Sequence, residues 1–190
     1  MILKWIFDRV VALVGLLFLW PVLLVVAILV KVKMPGGPAF FVQKRVGKGG
    51  KLFDCHKFRT MTVKHNGSTV SVAGDSRITP FGATLRHYKL DELPELWDVL
   101  IGNMSFVGPR PERKFYIDQI MIHNPKYELL YQIRPGVTSY ATLYNGYTDT
   151  MEKMLRRLDF DLEYLHHHSL LFDMKILWRT FISIVFGKKF

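Results

Sequence analysis

Residues Val10–Val30 read VVALVGLLFLWPVLLVVAILV, an apolar run that carries no charge. About 20 consecutive apolar residues are enough to cross the hydrocarbon core of a bilayer as a helix. The run is therefore predicted to lie in a membrane, and the rest of the chain has to be arranged around it.

Proline interrupts this run near its middle, where Trp20 is followed by Pro21. Proline lacks a backbone N–H and breaks the helical hydrogen-bond ladder. Basic residues stand on both sides of the run, namely Lys4, Arg9, Lys31 and Lys33. This symmetry gives no clear orientation by the positive-inside rule. Two arrangements stay open: a helix–break–helix at Trp20-Pro21 that enters and leaves one leaflet, and a kinked helix that spans the membrane.

The Pro- and Gly-rich turn at residues 34–38 ends the membrane segment. Residues 1–33 are assigned to the membrane and residues 34–190 to a cytosol-facing region of the same domain. Extended stretches at 39–46 and 51–59 flank a Gly-rich turn and predict a small β-hairpin. Further helices are predicted at 81–88, 112–123, 151–164 and 170–186. The fold class is therefore α+β and mostly helical, with amphipathic interfacial helices around a cytoplasmic site.

Two adjacent carboxylates stand in residues 90–97, which read LDELPELW. Apolar residues at helical spacing and a proline in the first turn predict a helix that begins near Asp91. Asp91 can then cap the helix, as in many ordinary helices. It can instead attack phosphorus, because helix N-termini favour phosphate and carboxylates can form acyl phosphates. This motif alone leaves both interpretations open.

The overall charge is strongly positive, with 26 Lys and Arg against 16 Asp and Glu, a net +10. Anionic lipid, nucleic acid or a nucleotide substrate would all be attracted. The apolar run favours membrane lipid and leaves a nucleic-acid-binding function unexplained, so no nucleic-acid partner is expected. A non-catalytic membrane-peripheral protein, whose basic face binds anionic lipid or a partner, is the alternative to an enzyme.

Several short motifs occur in a specific order: GPAFF at 37–41, KFRTM at 57–61, RI at 77–78, LDELP at 90–94, MSFVGPRP at 104–111 and RPG at 134–136. Together with the proline-broken apolar run, they resemble the bacterial monotopic phosphoglycosyl transferases, also called undecaprenyl-phosphate sugar-1-phosphate transferases. The resemblance covers nearly the whole chain. It implies the minimal catalytic module, without the additional N-terminal membrane bundle of longer members.

The resemblance implies a reaction in which a nucleotide sugar, expected to be a UDP-sugar, gives its sugar 1-phosphate to undecaprenyl phosphate. This step would start the assembly of a glycoconjugate such as a capsule, exopolysaccharide, O-antigen or glycoprotein glycan. The enzyme would be monotopic in the bacterial inner membrane, with its catalytic region on the cytoplasmic face. Self-association into a homo-oligomer stays open.

The resemblance also assigns roles to individual residues. Asp91 would be the nucleophile that forms a covalent phospho-sugar enzyme, Glu92 would assist it, and Mg²⁺ would bind beside the two carboxylates. Arg110, fixed between Pro109 and Pro111, would clamp phosphate with its planar guanidinium. Further phosphate contacts are expected from basic side chains elsewhere: Lys57, Arg59, Arg86 and Arg134.

The chain departs from the usual family pattern at three places. Trp20 stands where a serine usually precedes the membrane proline, and Asn103 stands where many members have aspartate. Residues 139–142 read SYAT instead of the common Gly-Leu-Ala-Gln. The identity of the donor sugar is therefore not inferred from the resemblance.

Overall fold

The computed structural model describes residues 2–63, 75–146 and 148–186. Within them, most residues are helical and the strands are short. The helices are α1 (Ile2–Lys33), α2 (Pro80–His87), α3 (Glu95–Ile101), α4 (Lys114–His123), α5 (Thr142–Asn145), α6 (Met151–His167) and α7 (Leu170–Val185). The strands are β1 (Phe40–Val46), β2 (Leu52–Phe58), β3 (Ser105–Val107) and β4 (Gly136–Thr138). Short 3₁₀ helices lie at Lys48–Gly50, Leu90–Glu92 and Pro125–Gln132.

The apolar run forms a single helix, and the structure does not show the predicted break at Trp20-Pro21. The 32 residues of α1 continue through Pro21 in helical conformation. Proline removes one N–H donor, and the bonds of the neighbouring turns can keep such a helix continuous. Among the described residues, α1 is the one helix that is long and apolar enough to cross a membrane.

α1 packs against the rest of the protein along one face. Ala12, in the first half, is fully buried in a cluster with Val99 and neighbouring apolar side chains. Val30, near the other end, is fully buried against Phe58 and its neighbours. On the opposite face Phe18 is 78% exposed. The remainder of the protein therefore lies along one face of α1 and leaves the other face of the central turns uncovered.

Polar contacts also attach the first turns of α1 to the rest of the protein. The ammonium of Lys4 lies 2.5 Å from the carboxylate of Asp173 on α7. The carboxylate of Asp8 accepts a hydrogen bond of 2.6 Å from the hydroxyl of Ser105 on β3. Asp8, Ser105 and Asp173 are all buried. Since an unpaired buried charge is costly, these contacts fix the N-terminal end of α1 to the body of the protein.

The predicted β-hairpin is confirmed. β1 and β2 pair in antiparallel fashion, with Phe40 opposite Phe58 and Val46 opposite Leu52. The predicted bounds are within a residue of the observed ones on each strand. The hairpin matters for the site because β2 carries Lys57 toward α3.

A second small sheet was not predicted. β3 and β4 pair in parallel, with Ser105 opposite Gly136 and Val107 opposite Thr138. A Cβ added at Gly136 would collide with the backbone nitrogen of Gly108. Glycine is therefore required where these two backbone segments meet. The segment after β3 can then lie directly against the start of β4.

The largest cluster of buried apolar residues lies away from α1, between α4, the 3₁₀ helix Pro125–Gln132 and α6. Ile120 and Leu158 are at its centre and are almost fully buried. α7 is different, because several of its large apolar side chains are exposed: Leu171, Trp178, Phe181 and Val185. The coarse fold class is confirmed, since the described chain is mostly helical with small sheets.

Candidate active site

The first turn of the LDELPELW segment differs from the prediction. Asp91 does not cap an α-helix; it lies in the 3₁₀ helix Leu90–Glu92, and α3 begins only at Glu95 after Pro94. Lys89, just before the turn, adopts a left-handed conformation with φ of 56°. Proline cannot supply the N–H that a longer helix would need, so the chain turns tightly before α3 starts.

The carboxylates of this segment share one buried face. Asp91, Glu95 and Asp98 are each less than a tenth exposed, whereas Trp97 on the other side of α3 is half exposed. Asp98 accepts hydrogen bonds from the ring Nδ1 of His56 at 2.8 Å and from its backbone N–H at 2.9 Å. Sequence reasoning missed Glu95 and Asp98 because it followed the apolar positions of α3. The available signal was the spacing of Asp91, Glu95 and Asp98 at i, i+4 and i+7.

Lys57 forms ion pairs with two carboxylates, those of Glu92 and Glu95. Its ammonium lies 2.6 Å from Oε1 of Glu92 and 3.0 Å from Oε1 of Glu95. Arg110 reaches Glu92 Oε1 from the other side, at 3.1 Å. The structure therefore brings Lys57, Glu92 and Arg110 together beside Asp91, as predicted for a phosphate site.

Burial and charge separate the acidities of the three neighbouring carboxylates. Burial alone would raise the pKa of Glu92, but Lys57, Arg110 and Lys89 hold it well below its usual range. Burial, reinforced by the charge of Glu92, raises the pKa of Asp91. Burial raises the pKa of Glu95 to about 7. Glu92 is thus the fixed anion of the cluster, and Asp91 carries a desolvated, more basic carboxyl group.

Asp91 differs from its neighbours in hydrogen bonding. Its Oδ1 is buried and has no hydrogen-bond partner. A buried carboxylate oxygen without a partner is costly, and such atoms often face a ligand or ion that completes the site. Among the described residues, no group of three or more His, Cys, Asp or Glu side chains is arranged to hold a metal. Asp91 and Glu92 fit Mg²⁺ only in its usual mode, in which one or two carboxylates act together with phosphate oxygens and water.

The turn that carries Arg110 is held at both prolines. The carbonyl of Pro109 accepts a hydrogen bond of 2.8 Å from the N–H of Gly136. The carbonyl of Pro111 accepts one of 3.3 Å from the guanidinium of Arg45. Fixed backbone on both sides reduces the freedom of Arg110, as the sequence predicted for a residue between two prolines.

Two other predicted phosphate contacts, Arg59 and Arg134, lie elsewhere. Arg59 is buried and donates to the carbonyls of Pro38 (2.7 Å) and Met34, so it binds the chain that follows α1. Arg134 donates to the carbonyl of Gly102 at 2.8 Å, at the far end of α3.

Arg86 lies near the charged cluster but is not one of the residues that contact Glu92. Its Nε donates to the hydroxyl of Thr60 at 2.9 Å, and its charge lowers the pKa of Asp91 against the larger effect of burial. It is therefore close enough to act on the site electrostatically without contacting Glu92.

A cavity of about 240 Å³ opens beside the charged cluster. Its charged lining consists of Lys89, Glu92 and Arg110. The remaining lining is apolar or hydroxyl-bearing: Leu93, Leu96, Phe106, Val137, Thr138, Thr142, Thr180 and Ile184. The cavity thus joins a charged end to a mainly apolar wall.

Several known proteins are similar to this chain, and two of them have names that describe the same type of reaction. The chain is 42% identical over 177 residues to the UDP-glucose:undecaprenyl-phosphate glucose-1-phosphate transferase of Escherichia coli (strain K12), covering 91% of this chain and 38% of that protein. It is 34% identical over 182 residues to the UDP-N-acetylgalactosamine-undecaprenyl-phosphate N-acetylgalactosaminephosphotransferase of Aeromonas hydrophila, covering 95% of this chain and 43% of that protein. It therefore spans less than half the length of these two relatives.

A third relative is matched over nearly its whole length. The exopolysaccharide production protein PSS of Rhizobium leguminosarum bv. phaseoli is 39% identical over 199 residues, covering 100% of this chain and 99% of that protein. The bacterial sugar transferase family matches residues 1–187. With nearly the full chain matched and the predicted charged cluster assembled, this chain belongs to the bacterial sugar transferase family.

Proposed function

We propose that this chain transfers a sugar 1-phosphate from a UDP-sugar to undecaprenyl phosphate and so starts the synthesis of a polysaccharide or related glycoconjugate. The observation that carries the proposal is the buried carboxyl group of Asp91, whose Oδ1 has no hydrogen-bond partner, beside the cations Lys57 and Arg110. Two relatives are named for this transfer to undecaprenyl phosphate, with different sugars.

In the first step, a carboxylate oxygen of Asp91 attacks the sugar-bearing phosphorus of the donor. An acyl-phosphate bond forms, the bond from that phosphorus to the bridging oxygen breaks, and uridine monophosphate leaves with the bonding electrons. The raised pKa of Asp91 favours attack, because a desolvated carboxylate is a stronger base and nucleophile. The other product of this step is a mixed anhydride between the Asp91 carboxyl group and the sugar phosphate.

In the second step, a phosphate oxygen of undecaprenyl phosphate attacks the same phosphorus. The acyl-phosphate bond breaks, and Asp91 returns to a carboxylate. The lipid leaves as undecaprenyl diphosphate sugar. One carboxylate thus serves two transfers in turn, and no external acid, oxidant or reductant is consumed.

Lys57 and Arg110 supply fixed positive charge for both steps. Each already lies within 3.1 Å of Glu92 Oε1, so their positions do not depend on substrate. Preorganised cations of this kind stabilise the charge that develops on the transferred phosphoryl group. Glu92 holds the two cations in place and, on this proposal, also faces the metal.

Asp91 and Glu92 would hold the proposed Mg²⁺ together with phosphate oxygens of the donor. The ion would neutralise the repulsion between the carboxylates and the diphosphate and stabilise the leaving uridine monophosphate. The unpartnered Oδ1 of Asp91 supports this assignment.

The membrane arrangement proposed for α1 is re-entrant, with both ends on the cytoplasmic face of the inner membrane. Support comes from the contacts of Lys4 and Asp8 at one end and of Val30 at the other with the same body of the protein. The exposed central turns around Phe18 and Pro21 would then enter the bilayer. The catalytic region would lie at the cytoplasmic surface, where UDP-sugars are available.

The proposal is tested by release of uridine monophosphate from purified protein in detergent. Release should require a UDP-sugar, undecaprenyl phosphate and Mg²⁺ together for continued turnover, and a panel of UDP-sugars would identify the donor. A non-catalytic peripheral protein, the alternative, predicts vesicle binding without release for every donor tested. Absence of release across the panel would refute the transferase assignment.

A further inference from the structure

We propose that the cavity beside Glu92 is the acceptor subsite, in which Lys89 binds the phosphate of a polyprenyl phosphate and the apolar wall receives its first isoprene units. The inference rests on the proposed transferase function and assigns the place where the lipid substrate binds. Lys89 was not among the residues that the sequence suggested for phosphate.

The cavity has the polarity that such a substrate requires. One end carries Lys89 and Arg110, two cations suited to a phosphate. The wall beyond them is formed mainly by apolar side chains of α3, of the two short strands and of α7: Leu93, Leu96, Phe106, Val137 and Ile184. A ligand with an anionic head and a branched hydrocarbon tail matches both ends at once.

The size of the cavity is consistent with only part of that ligand. Its volume is about 240 Å³, below the roughly 300–1,000 Å³ of pockets that enclose drug-sized ligands. It can hold the phosphate end of a polyprenyl phosphate, whereas the rest of the chain has to run outside it. The exposed apolar surface of α7 at Phe181 offers a continuation toward lipid.

The backbone at Lys89 supports a binding role for this residue. Within residues 2–63, 75–146 and 148–186, Lys89 is the one non-glycine residue with positive φ, at 56°. A left-handed conformation is unfavourable for an ordinary side chain, and such strain is concentrated at ligand-binding and catalytic sites. This conformation starts the turn that leads into Asp91 and Glu92 and leaves Lys89 in the lining of the cavity.

A sugar ring fits the apolar part of this cavity less well than an isoprene chain does. Sugars are bound through many hydroxyl contacts, and the hydroxyls that line the cavity are partly committed to other groups. Thr138 and Thr180 hydrogen-bond each other at 3.0 Å, and Thr142 bonds Ser139 at 2.7 Å. Most of the remaining lining away from the charged end cannot donate or accept hydrogen bonds.

The role of the apolar wall in binding the lipid is tested by placing a larger side chain in the cavity. Ile184→Trp places a large side chain in the cavity, and Val185→Trp is the matched control, because Val185 is the next residue on α7 and is exposed. For Ile184→Trp we expect KM for undecaprenyl phosphate to rise about 10-fold or more, with kcat/KM for the UDP-sugar within about twofold of the parent. Val185→Trp should leave both parameters within about twofold of the parent.

The phosphate contact is tested by charge removal. Lys89→Asn keeps the left-handed turn, because asparagine accepts that conformation more readily than most residues. The expected result is a rise of about 10- to 100-fold in KM for undecaprenyl phosphate, the loss of one charge-assisted contact. Lys89→Arg should retain most of the affinity, and Lys126→Asn, which removes an exposed charge elsewhere, should change nothing.

The donor step is measured separately, as the single-turnover release of uridine monophosphate without acceptor. The acceptor subsite is supported by a raised acceptor KM in both variants, with unchanged single-turnover release in Ile184→Trp and a loss of release in Lys89→Asn that is smaller than the rise in its acceptor KM. Retained release also shows that the variants are folded. An acceptor KM unchanged in both variants would overturn the acceptor subsite, as would an equal loss in the single-turnover release. Wild-type protein without any release would instead refute the transferase function, so the two failures are distinguishable.

Discussion

Asp91 is a buried acidic residue whose carboxyl group is incompletely hydrogen-bonded. It is 8% exposed, its Oδ1 has no hydrogen-bond partner, and Glu92 stands next to it in sequence and in space. Burial and Glu92 both raise its pKa. A residue that served only to stabilise the fold would be better replaced by an uncharged one, which makes Asp91 the first residue to test.

Asp91→Asn is expected to abolish turnover and leave the fold intact. The amide is isosteric with the carboxyl group but cannot form an acyl phosphate, so uridine monophosphate release should fall by roughly 10³-fold or more. The melting temperature should stay equal or rise, because a poorly solvated charge is removed. Release near the wild-type rate would show that Asp91 is not the nucleophile.

Arg110→Lys is expected to be severe although charge is retained. The ammonium cannot reproduce the planar fork of the guanidinium. Loss of one preorganised contact in the transition state costs about 2–4 kcal/mol, roughly 30- to 1,000-fold in kcat/KM. Arg113→Lys, two residues after Pro111, provides the comparison. A change of less than about threefold in Arg110→Lys would contradict the clamp role.

At this scale the sequence predicted the site only in part. Asp91, Glu92, Lys57 and Arg110 come together as expected, because each lies in a short motif. Their neighbour Arg59 does not join them. Residues i and i+2 of a strand share a face, but β2 ends at Phe58, and Arg59 beyond it binds the carbonyls of Pro38 and Met34. The contribution of Lys89 depends on a backbone conformation that its residue type does not indicate.

Among the elements, α6 carries a second buried acid. Asp161 is 3% exposed, and its Oδ1 has no hydrogen-bond partner. Burial raises its pKa to about 7, although Arg157 opposes the shift. Arg157 is committed to Glu112, 2.8 Å away, which Arg45 also contacts at 3.4 Å. Asp161 is therefore predominantly neutral in the folded protein below about pH 7.

Asp161→Asn is expected to flatten the dependence of stability on pH. The folded pKa lies above the ordinary value near 4, so the folded state binds the proton more tightly between these values. Stability contributed by this group is present below about pH 4 and is lost as pH rises through about 7, at most about 1.4 kcal/mol per pH unit.

Chemical unfolding of both proteins at several pH values measures this effect. The variant should gain stability over the parent as pH rises from about 5 to 8. Parallel curves for parent and variant would contradict the neutral state of Asp161.

α3 illustrates why helix starts are difficult to predict from sequence. The apolar spacing of Leu93, Leu96 and Leu100 correctly indicated a helix, but Pro94 and the left-handed Lys89 delay its start to Glu95. The apolar positions face α1 and solvent-exposed surface, whereas the acids face inward to Lys57 and His56. Apolar residues at helical spacing therefore did not identify the most buried face of α3.

At the scale of the whole molecule, the hairpin and most helices were predictable because each has a clear local pattern. The parallel pair β3–β4 was not, because three-residue strands have no detectable periodicity and depend on the close approach of Gly108 and Gly136. The continuity of α1 through Pro21 was one of the two arrangements that the sequence left open.

The re-entrant arrangement predicts that both ends of α1 stay on the cytoplasmic side. Single cysteines at Ile2 and at the exposed Glu152, in a Cys55→Ser background, should both resist an impermeant thiol reagent in spheroplasts and react after membrane permeabilisation. Lys4→Ala should weaken this arrangement by removing the partner of Asp173. Labelling of Ile2→Cys but not Glu152→Cys in spheroplasts would show that α1 spans the membrane.

The central claim is that Asp91 carries the sugar phosphate between donor and lipid, and intact-protein mass spectrometry tests it most directly. Purified protein incubated with its UDP-sugar and Mg²⁺, without acceptor, should gain the mass of one sugar phosphate. Peptide mapping should place that mass on Asp91, and undecaprenyl phosphate should remove it. A protein that turns over both substrates but shows no adduct, or carries it on another residue, would contradict the account.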